Sequence, residues 1–305
     1  MNRWVIGRGL LGSAIVTELG GRVHHSTIRW ANPVAAISDL NEAAELFSRQ
    51  GTGDWEVYWS AGRGVTSTPR DTMIAEANVF ESFLESLSRH MGERMTRGKI
   101  FLASSVGGAY AGAVPPFTES TRPAPRSIYG EVKLRMEEAL RGATSSGGAR
   151  AFIARVTNLY GPGQDLAKGQ GLVSAIIEGS ITGRPTSIYV SLDTLRDYIF
   201  VSDCARVVVA GVRRLDDCPA GETVVKIVGA MNAVSIGALL GEVARVRRRP
   251  VPLVLGQGDS TGQASDLRVR SEVWTDLDGL VATTLPEGLG ALYRARLLDH
   301  IYPAE

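Results

Sequence analysis

The composition of this 305-residue chain is that of an ordinary folded protein, and it excludes several functional classes. Apolar residues make up 44% and charged residues 21%, while the formal net charge of +1 gives no basis for binding nucleic acid or an anionic membrane. No apolar run approaches the roughly 18 residues of a membrane span and no signal peptide is recognisable, so we expect a cytoplasmic protein.

The cysteines and histidines give no sign of a metal centre. Cys204 and Cys218 have no further metal ligand at a suitable spacing, and neither do the four histidines. We therefore expect two reduced thiols and no bound metal.

The first predicted element is a short strand, Trp4–Ile6, which a glycine-rich turn connects to a helical pattern over Ser13–Leu19. The turn matches G-x-G-x-x-G between a strand and a helix, which is the context that this motif requires. Its glycines let the backbone approach a pyrophosphate, while the N–H groups of the helix face the charge. The sequence therefore predicts a dinucleotide site that includes Gly7, Arg8, Gly9, Leu10, Leu11 and Gly12.

A second strand is predicted over Arg22–Ile28, at the point where NAD and NADP are usually distinguished. A cofactor with a free ribose 2'-hydroxyl commonly meets an Asp or Glu about 20 residues after the glycines, and no carboxylate stands there. Arg8 and Arg29 could instead face a 2'-phosphate, although both could also be ordinary surface arginines. The pattern favours NADP and leaves NAD as the alternative.

The next elements continue an alternation of strands and helices. Ala61 and Gly62 form a turn of small residues after a strand, Asn78 lies near the start of the following helix, and all three are candidate cofactor contacts. The alternation predicts an α/β fold with a doubly wound parallel sheet and a ligand crevice at the carboxyl ends of its strands. The elements are a helix from Asn32 to about Arg49, a strand at Glu56–Ser60, a helix at Met73–His90 and a strand at Lys99–Ser105.

A helical segment at Tyr129–Leu140 carries the chemistry that this crevice would use. Tyr129 and Lys133 are four residues apart and would lie on one helix face, where the lysine charge favours the phenolate form of the tyrosine. Ser104 or Ser105, at the end of the preceding strand, could hold a substrate oxygen while Tyr129 moves a proton. This set suits hydride transfer at a carbonyl or alcohol carbon, and either serine could serve.

Two further motifs complete a family pattern. They are Arg155–Gly163, which reads R-V-T-N-L-Y-G-P-G, and Arg196–Asp203, which reads R-D-Y-I-F-V-S-D. Together with the glycine turn, the Ser-Ser strand end and the Y-G-E-V-K segment, they occur in the order found in one family. The sequence resembles the extended short-chain dehydrogenase/reductases that act on nucleotide sugars, which have a Rossmann-like domain.

The resemblance implies roles for the catalytic set. Tyr129 would be the acid/base, and Lys133 would be its partner and a ligand of the nicotinamide ribose. Ser105 would orient the substrate, with Ser104, also a candidate cofactor contact, as the competing assignment.

The resemblance also implies a nucleotide-sugar substrate. Asn158, Arg196 and Arg268 resemble the family residues that contact its phosphates. Val106–Gly107 stands where the family's 4,6-dehydratases carry an Asp-Glu pair, and this departure argues against water elimination. Homodimers built from paired helices are common in the family, so a homodimer is a further expectation.

Family architecture implies two domains. The NAD(P)-binding domain would comprise residues 1–165 plus about 187–230, and a smaller C-terminal substrate domain would comprise 166–186 plus about 231–305. The segments that carry this division are Gly171–Thr182, Ser187–Leu192, Asp203–Arg214, Thr223–Val228, Ser235–Arg247, Val251–Leu255 and Leu289–Leu298.

Three functional hypotheses follow from these observations. The first is an NADP-dependent reductase of a keto-sugar nucleotide, which the missing strand-two carboxylate favours. The second is an epimerase that holds NAD, oxidises C4 of a sugar nucleotide and reduces it on the other face. The third is a cofactor-binding protein without catalysis, against which the intact pair of Tyr129 and Lys133 counts.

Overall fold

The strands of the central sheet are short, mostly apolar runs whose residues are largely buried. The computed structural model describes residues 1–166, 171–256 and 264–302. Its strands within these ranges are β1 (Asn2–Ile6), β2 (Trp55–Trp59), β3 (Gly98–Ser105), β4 (Arg150–Val156), β5 (Asn158–Tyr160), β6 (Thr186–Ile188), β7 (Leu195–Phe200), β8 (Thr223–Val228), β9 (Ala233–Ser235) and β10 (Leu253–Leu255).

Several helices begin where capping chemistry in the sequence predicts. The Asn32 side chain accepts hydrogen bonds from the N–H groups of Val34 and Ala35, and proline follows it at the first helical position. No helix among the described residues combines the length and the apolar character needed to cross a bilayer. The helices are α1 (Leu10–Leu19), α2 (Pro33–Ser48), α3 (Arg70–Met91), α4 (Val106–Tyr110), α5 (Ile128–Gly147), α6 (Leu172–Thr182), α7 (Val201–Arg214), α8 (Ile236–Arg247) and α9 (Leu285–Ile301).

The central sheet has five strands in the order β1-β2-β3-β4-β8, and all neighbours are parallel. Residues of α2, α3 and α5 pack in the core on one face, and residues of α1 and α7 pack on the other. This confirms the predicted doubly wound parallel sheet. Parallel strands bring their carboxyl ends to one edge, where the glycine turn after β1 and the loops after β2 and β3 meet.

The prediction of a strand over Arg22–Ile28 is wrong. Only His24 forms a bridge there, to Trp4 of β1, and its N–H donates to the carbonyl of Arg3 at 2.7 Å. The segment is held by side chains instead, since the Trp4 indole donates to the Ser26 hydroxyl at 3.0 Å. The pairing with β1 is limited to the bridge at His24, and no regular ladder forms along this described segment.

A second core lies away from the central sheet. Strand β7 pairs with β5 and β9, and β6 pairs with β10. Apolar residues of α6, α8 and α9, including Ile176, Leu239 and Leu289, pack together against these strands. The division into two domains at the boundaries given above stays a prediction.

A buried lysine of the central sheet binds residues from the last part of the described chain. Lys226 of β8 is fully buried, and its ammonium donates to the Ser271 hydroxyl and the Val273 carbonyl, both at 2.7 Å. It also forms an ion pair with Asp278 at 2.7 Å. The indole of Trp274 in the same segment stacks on Phe152 of β4, with ring centroids 5.7 Å apart.

Candidate active site

The glycine turn after β1 requires glycine at two of its positions. Gly7 has a φ of +86°, and a Cβ there would lie 2.3 Å from the backbone of Ala61. A Cβ on Gly12 would lie 2.0 Å from the carbonyl oxygen of Gly7. The hydroxyl of Ser60, just after β2, donates to that same carbonyl at 2.8 Å. Any side chain at either glycine would therefore push the turn away from the end of β2.

The turn leads directly into α1 in a form that fits a pyrophosphate. Gly9 is the residue before the helix and offers no side chain to cap it, so the first N–H groups of α1 have no side-chain partner at that position. Leu11 is buried beneath the turn, whereas Arg8 is exposed beside it. Free N–H groups at the positive end of a helix suit a dinucleotide phosphate.

The loop after β2, which is predicted to contact the cofactor, lies against α5, the helix that carries Tyr129 and Lys133. A Cβ on Gly62 would lie 2.9 Å from Oε1 of Glu76 and 3.3 Å from Nζ of Lys133. Glu76 lies on α3 and Lys133 on α5, so three elements converge at this point. The buried Ala61 packs against the glycine turn on its other side.

Tyr129 and Lys133 lie one turn apart on α5, as the spacing predicts. The Lys133 ammonium is 5.7 Å from the centre of the Tyr129 ring and 3.5 Å from Oε1 of Glu76. Lys133 is only 6% exposed. Burial alone would lower the pKa of Lys133, but attraction to Glu76 and Tyr129 outweighs it and raises that pKa, so the lysine stays charged.

The two serines at the end of β3 point in different directions. The buried Ser104 hydroxyl donates to Glu137 at 2.5 Å and so faces the interior. The Ser105 hydroxyl accepts the N–H of Gly108 at 3.1 Å and caps α4. A Cβ on Gly108 would lie 3.3 Å from Cβ of Ser105 and 3.1 Å from Cε1 of Tyr129. Ser105 is therefore the serine that adjoins the tyrosine.

The two arginines proposed for cofactor choice are both exposed and both engaged. The Arg29 guanidinium forms a two-pronged ion pair with Asp39 of α2, with its shortest bond at 2.6 Å. The Arg8 guanidinium donates to the carbonyl of His24 at 3.4 Å. Arg8 is held only weakly and is available to a ligand, whereas a ligand of Arg29 would compete with a carboxylate.

The predicted cofactor contact Asn78 lies on the outer face of α3. Its side-chain oxygen accepts a hydrogen bond from Arg135 at 2.8 Å, and the residue is exposed. Two residues earlier on the same helix, Glu76 points to Lys133. The structure therefore brings Glu76, which sequence reasoning missed, to Lys133, whereas the Asn78 side chain pairs with Arg135. The role of Asn78 as a cofactor contact stays a prediction.

The residues predicted to contact substrate phosphates lie around β7. Arg196 is 9% exposed and donates to the carbonyl of Leu195, and burial lowers its pKa. The exposed Arg268 forms an ion pair with Asp266 at 2.8 Å. The amide of Asn158 donates to the carbonyl of Asp197 at 2.9 Å.

The segment around Arg268 connects these residues to the catalytic set. Leu195 and Asp266 form a parallel bridge, which places that segment beside β7. The side chain of Leu267 comes within 3.5 Å of where a Cβ on Gly107 would lie, two residues after Ser105. The segment that carries Arg268 therefore lies between β7 and the residues that follow Ser105.

Comparisons with known proteins identify the family and the fold. A family model described as the NAD dependent epimerase/dehydratase family matches residues 5–227. The chain is 32% identical to dTDP-4-dehydro-6-deoxyglucose reductase of Escherichia coli over 105 residues, 34% of this chain and 33% of that protein. It is 28% identical to dTDP-L-rhamnose 4-epimerase of Burkholderia thailandensis over 183 residues, 59% of this chain and 48% of that protein.

The matched regions therefore span between a third and a half of these two relatives' lengths. Among solved structures, MoeE5 in complex with UDP-glucose and NAD has a TM-score of 0.80, with 21% sequence identity over 97% of this chain and 98% of that chain. That likeness concerns the fold, while the family model covers well over half of the sequence. The chain belongs to the NAD dependent epimerase/dehydratase family.

Proposed function

We propose that this protein is an oxidoreductase that reduces a keto-sugar nucleotide, with NADPH as the hydride donor and Tyr129 as the general acid. The observation that carries the proposal is the convergence of four groups at the carboxyl edge of the sheet. The Lys133 ammonium lies beside Gly62 of the cofactor loop, and the Tyr129 ring adjoins Ser105 across Gly108. This set supports proton transfer at an oxygen next to a bound nicotinamide.

Ser105, Tyr129 and Lys133 have different roles in the reduction of the ketone. When bound, the cofactor supplies the hydride that adds to the carbonyl carbon. The Ser105 hydroxyl holds the ketone oxygen, and Tyr129 gives its phenolic proton to that oxygen as the C=O π bond breaks. The buried charge of Lys133 stabilises the phenolate that remains.

A nucleotide diphosphate on the substrate fits the charges near β7. Arg196 is a largely buried cation for which no ion pair or carboxylate hydrogen bond is found among the described residues, and Asp266 attracts it only from a distance. A buried charge without a partner is costly, and an anionic ligand would relieve that cost. Asn158 and Arg268 would supply further contacts.

Water elimination is not supported by the residues that follow Ser105. Val106 is 1% exposed and faces the core, and Gly107 has no side chain. Dehydration in this family needs a carboxylic acid and a carboxylate at that point, and neither residue can move a proton. The choice therefore lies between reduction and epimerisation.

An NAD-dependent 4-epimerase of a nucleotide sugar is the second candidate function. One relative is an epimerase, and the MoeE5 structure contains NAD and UDP-glucose. The ion pair of Arg29 with Asp39 also weakens the argument for a 2'-phosphate. An epimerase would use the same Ser105, Tyr129 and Lys133. A non-catalytic cofactor-binding role is the minor alternative, and the assembled set counts against it.

The cofactor that the purified protein carries separates the two candidates. Mass spectrometry of any cofactor released from the purified protein, with its occupancy measured, should find little or none. The purified protein should then bind added NADPH. Addition of dTDP- or UDP-linked 4-keto-sugars should then oxidise NADPH. NAD bound near full occupancy, together with interconversion of 4-epimers and no NADPH oxidation, would overturn the reductase proposal in favour of the epimerase.

Cofactor preference should depend on Arg8 more than on Arg29. A charge-assisted hydrogen bond to a phosphate is worth about 1.5–3 kcal/mol, so we expect Arg8→Ala to weaken NADPH binding roughly tenfold to a hundredfold. Arg29→Ala should weaken it less, because Asp39 already holds that guanidinium. NADH binding should change little with either substitution. Dissociation constants for both cofactors test this, and a wild type that prefers NADH would contradict the NADP assignment.

A further inference from the structure

We infer that Glu76 is a positioning residue of this site, because its carboxylate holds the Lys133 ammonium and fixes the loop after β2 against it. The inference rests on the proposed role of Lys133 as a cofactor ligand. It concerns a residue on α3 that no motif singles out.

The geometry of the carboxylate shows two separate attachments. Its Oε2 accepts the backbone N–H groups of Arg63 and Gly64 at 3.1 and 3.2 Å. Its Oε1 faces Nζ of Lys133 at 3.5 Å and lies 2.9 Å from where a Cβ on Gly62 would be. One side chain thus joins the turn beside the proposed cofactor path to the buried lysine.

The surroundings of Lys133 leave Glu76 as its main counter-charge. From its own helix, Tyr129 and Glu137 face the ammonium. The Glu137 carboxylate is already bound by Arg155 of β4, at 2.6 and 3.0 Å, and by the Ser104 hydroxyl. Glu76 is the group that α3 contributes, and the pKa of Lys133 responds to it more strongly than to Tyr129 or Glu137.

Loss of the Glu76 charge therefore has a predictable sign. Burial lowers the pKa of Lys133, and Glu76 is the largest of the groups that oppose this effect. Without the carboxylate, burial acts with less opposition, so the lysine should lose its proton at a lower pH. A neutral lysine would be a weaker ligand of the nicotinamide ribose.

The test is the pH dependence of cofactor binding in Glu76→Gln, which keeps an oxygen acceptor for the loop and removes the charge. We measure dissociation constants of NADPH and NADH by fluorescence between about pH 7 and pH 10. In the wild type the affinity should change less than about twofold, because Lys133 stays charged. In Glu76→Gln it should weaken by clearly more than this twofold as the pH rises, because a buried lysine without its counter-charge loses its proton at a lower pH.

Three matched variants make the result specific. Glu81→Gln removes a carboxylate from the same helix, where it pairs with the exposed Arg135, and should keep the wild-type profile. Glu76→Asp keeps the charge on a shorter side chain and should restore most of the flat profile. Combining Glu76→Gln with Lys133→Met should abolish the pH dependence, because the titrating group is gone.

A Glu76→Gln profile that superimposes on the wild type, or a Glu81→Gln profile with the same shift, would overturn the inference. Melting temperatures of all variants identify any that fail to fold, and Glu76→Asp then provides the comparison. The measurement uses cofactor binding alone. A failure of the proposed reductase or epimerase reaction would leave it intact, and a failure here would leave that reaction untouched.

Discussion

Replacement of Tyr129 by phenylalanine should lower turnover by about 10²–10⁴-fold, the usual contribution of a positioned acid or base. The substitution removes only the hydroxyl, so the ring should remain beside Gly108 and Ser105. Cofactor dissociation constants should stay within about twofold of the wild type, because Lys133 and the glycine turn are unchanged. Steady-state kinetics with the substrate that the wild type accepts, together with cofactor titrations, measure both quantities.

Tyr293→Phe on α9 is the matched control. That tyrosine is half-buried in the core of α6, α8 and α9, away from the sheet edge, and its hydroxyl has no part in the proposed chemistry. Its rate should equal that of the wild type. If Tyr129→Phe retains most of its activity, Tyr129 is not the acid/base.

Arg155→Met should destabilise the fold by about 3–5 kcal/mol, the loss typical of a buried ion pair that keeps one partner. Arg155 binds both oxygens of Glu137 at 3.0 and 2.6 Å and also donates to the Tyr110 hydroxyl. Glu137 is 2% exposed, so its carboxylate would be left buried with no cation bound to it. The free energy of unfolding in urea measures the loss.

An exposed pair of the same chemistry provides the comparison. Arg135 binds Glu81 with two hydrogen bonds of 2.7 and 2.6 Å, but both side chains are partly in solvent. Arg135→Met should therefore cost only about 0–1 kcal/mol. Replacing Arg155 and Glu137 together by methionine should recover much of the loss, since no charge remains buried. Equal losses for Arg155→Met and Arg135→Met would contradict the argument.

The sequence was sufficient wherever the chemistry depends on neighbours along the chain. The spacing of Tyr129 and Lys133 fixed their common helix face, and glycines between a strand and a helix located the turn around Gly7 and Gly12. Alternating buried strands and helices predicted the parallel sheet. These are local patterns, and helix or strand geometry translates each of them directly into positions in space.

Contacts between distant segments could not be predicted in this way. Glu76 is one of many glutamates on helices, and only the packing of α3 on α5 shows that it reaches Lys133. Ser104 and Ser105 are adjacent, and the choice between them depends on Glu137 lying behind the strand. The wrong strand prediction at Arg22–Ile28 has a similar origin, because contacts with distant Trp4, and not the local pattern, show how this segment lies against β1.

The buried ammonium of Lys226 has a consequence for the folding of the nascent chain. β8 is the last strand to join the central sheet, yet the oxygen atoms that solvate its lysine belong to Ser271, Val273 and Asp278. Since a chain leaves the ribosome from its N-terminus, β8 emerges well before those partners exist. Until then the ammonium of this lysine must stay in water. Burial of Lys226 can therefore be completed only after the segment that carries Ser271, Val273 and Asp278 has been synthesised.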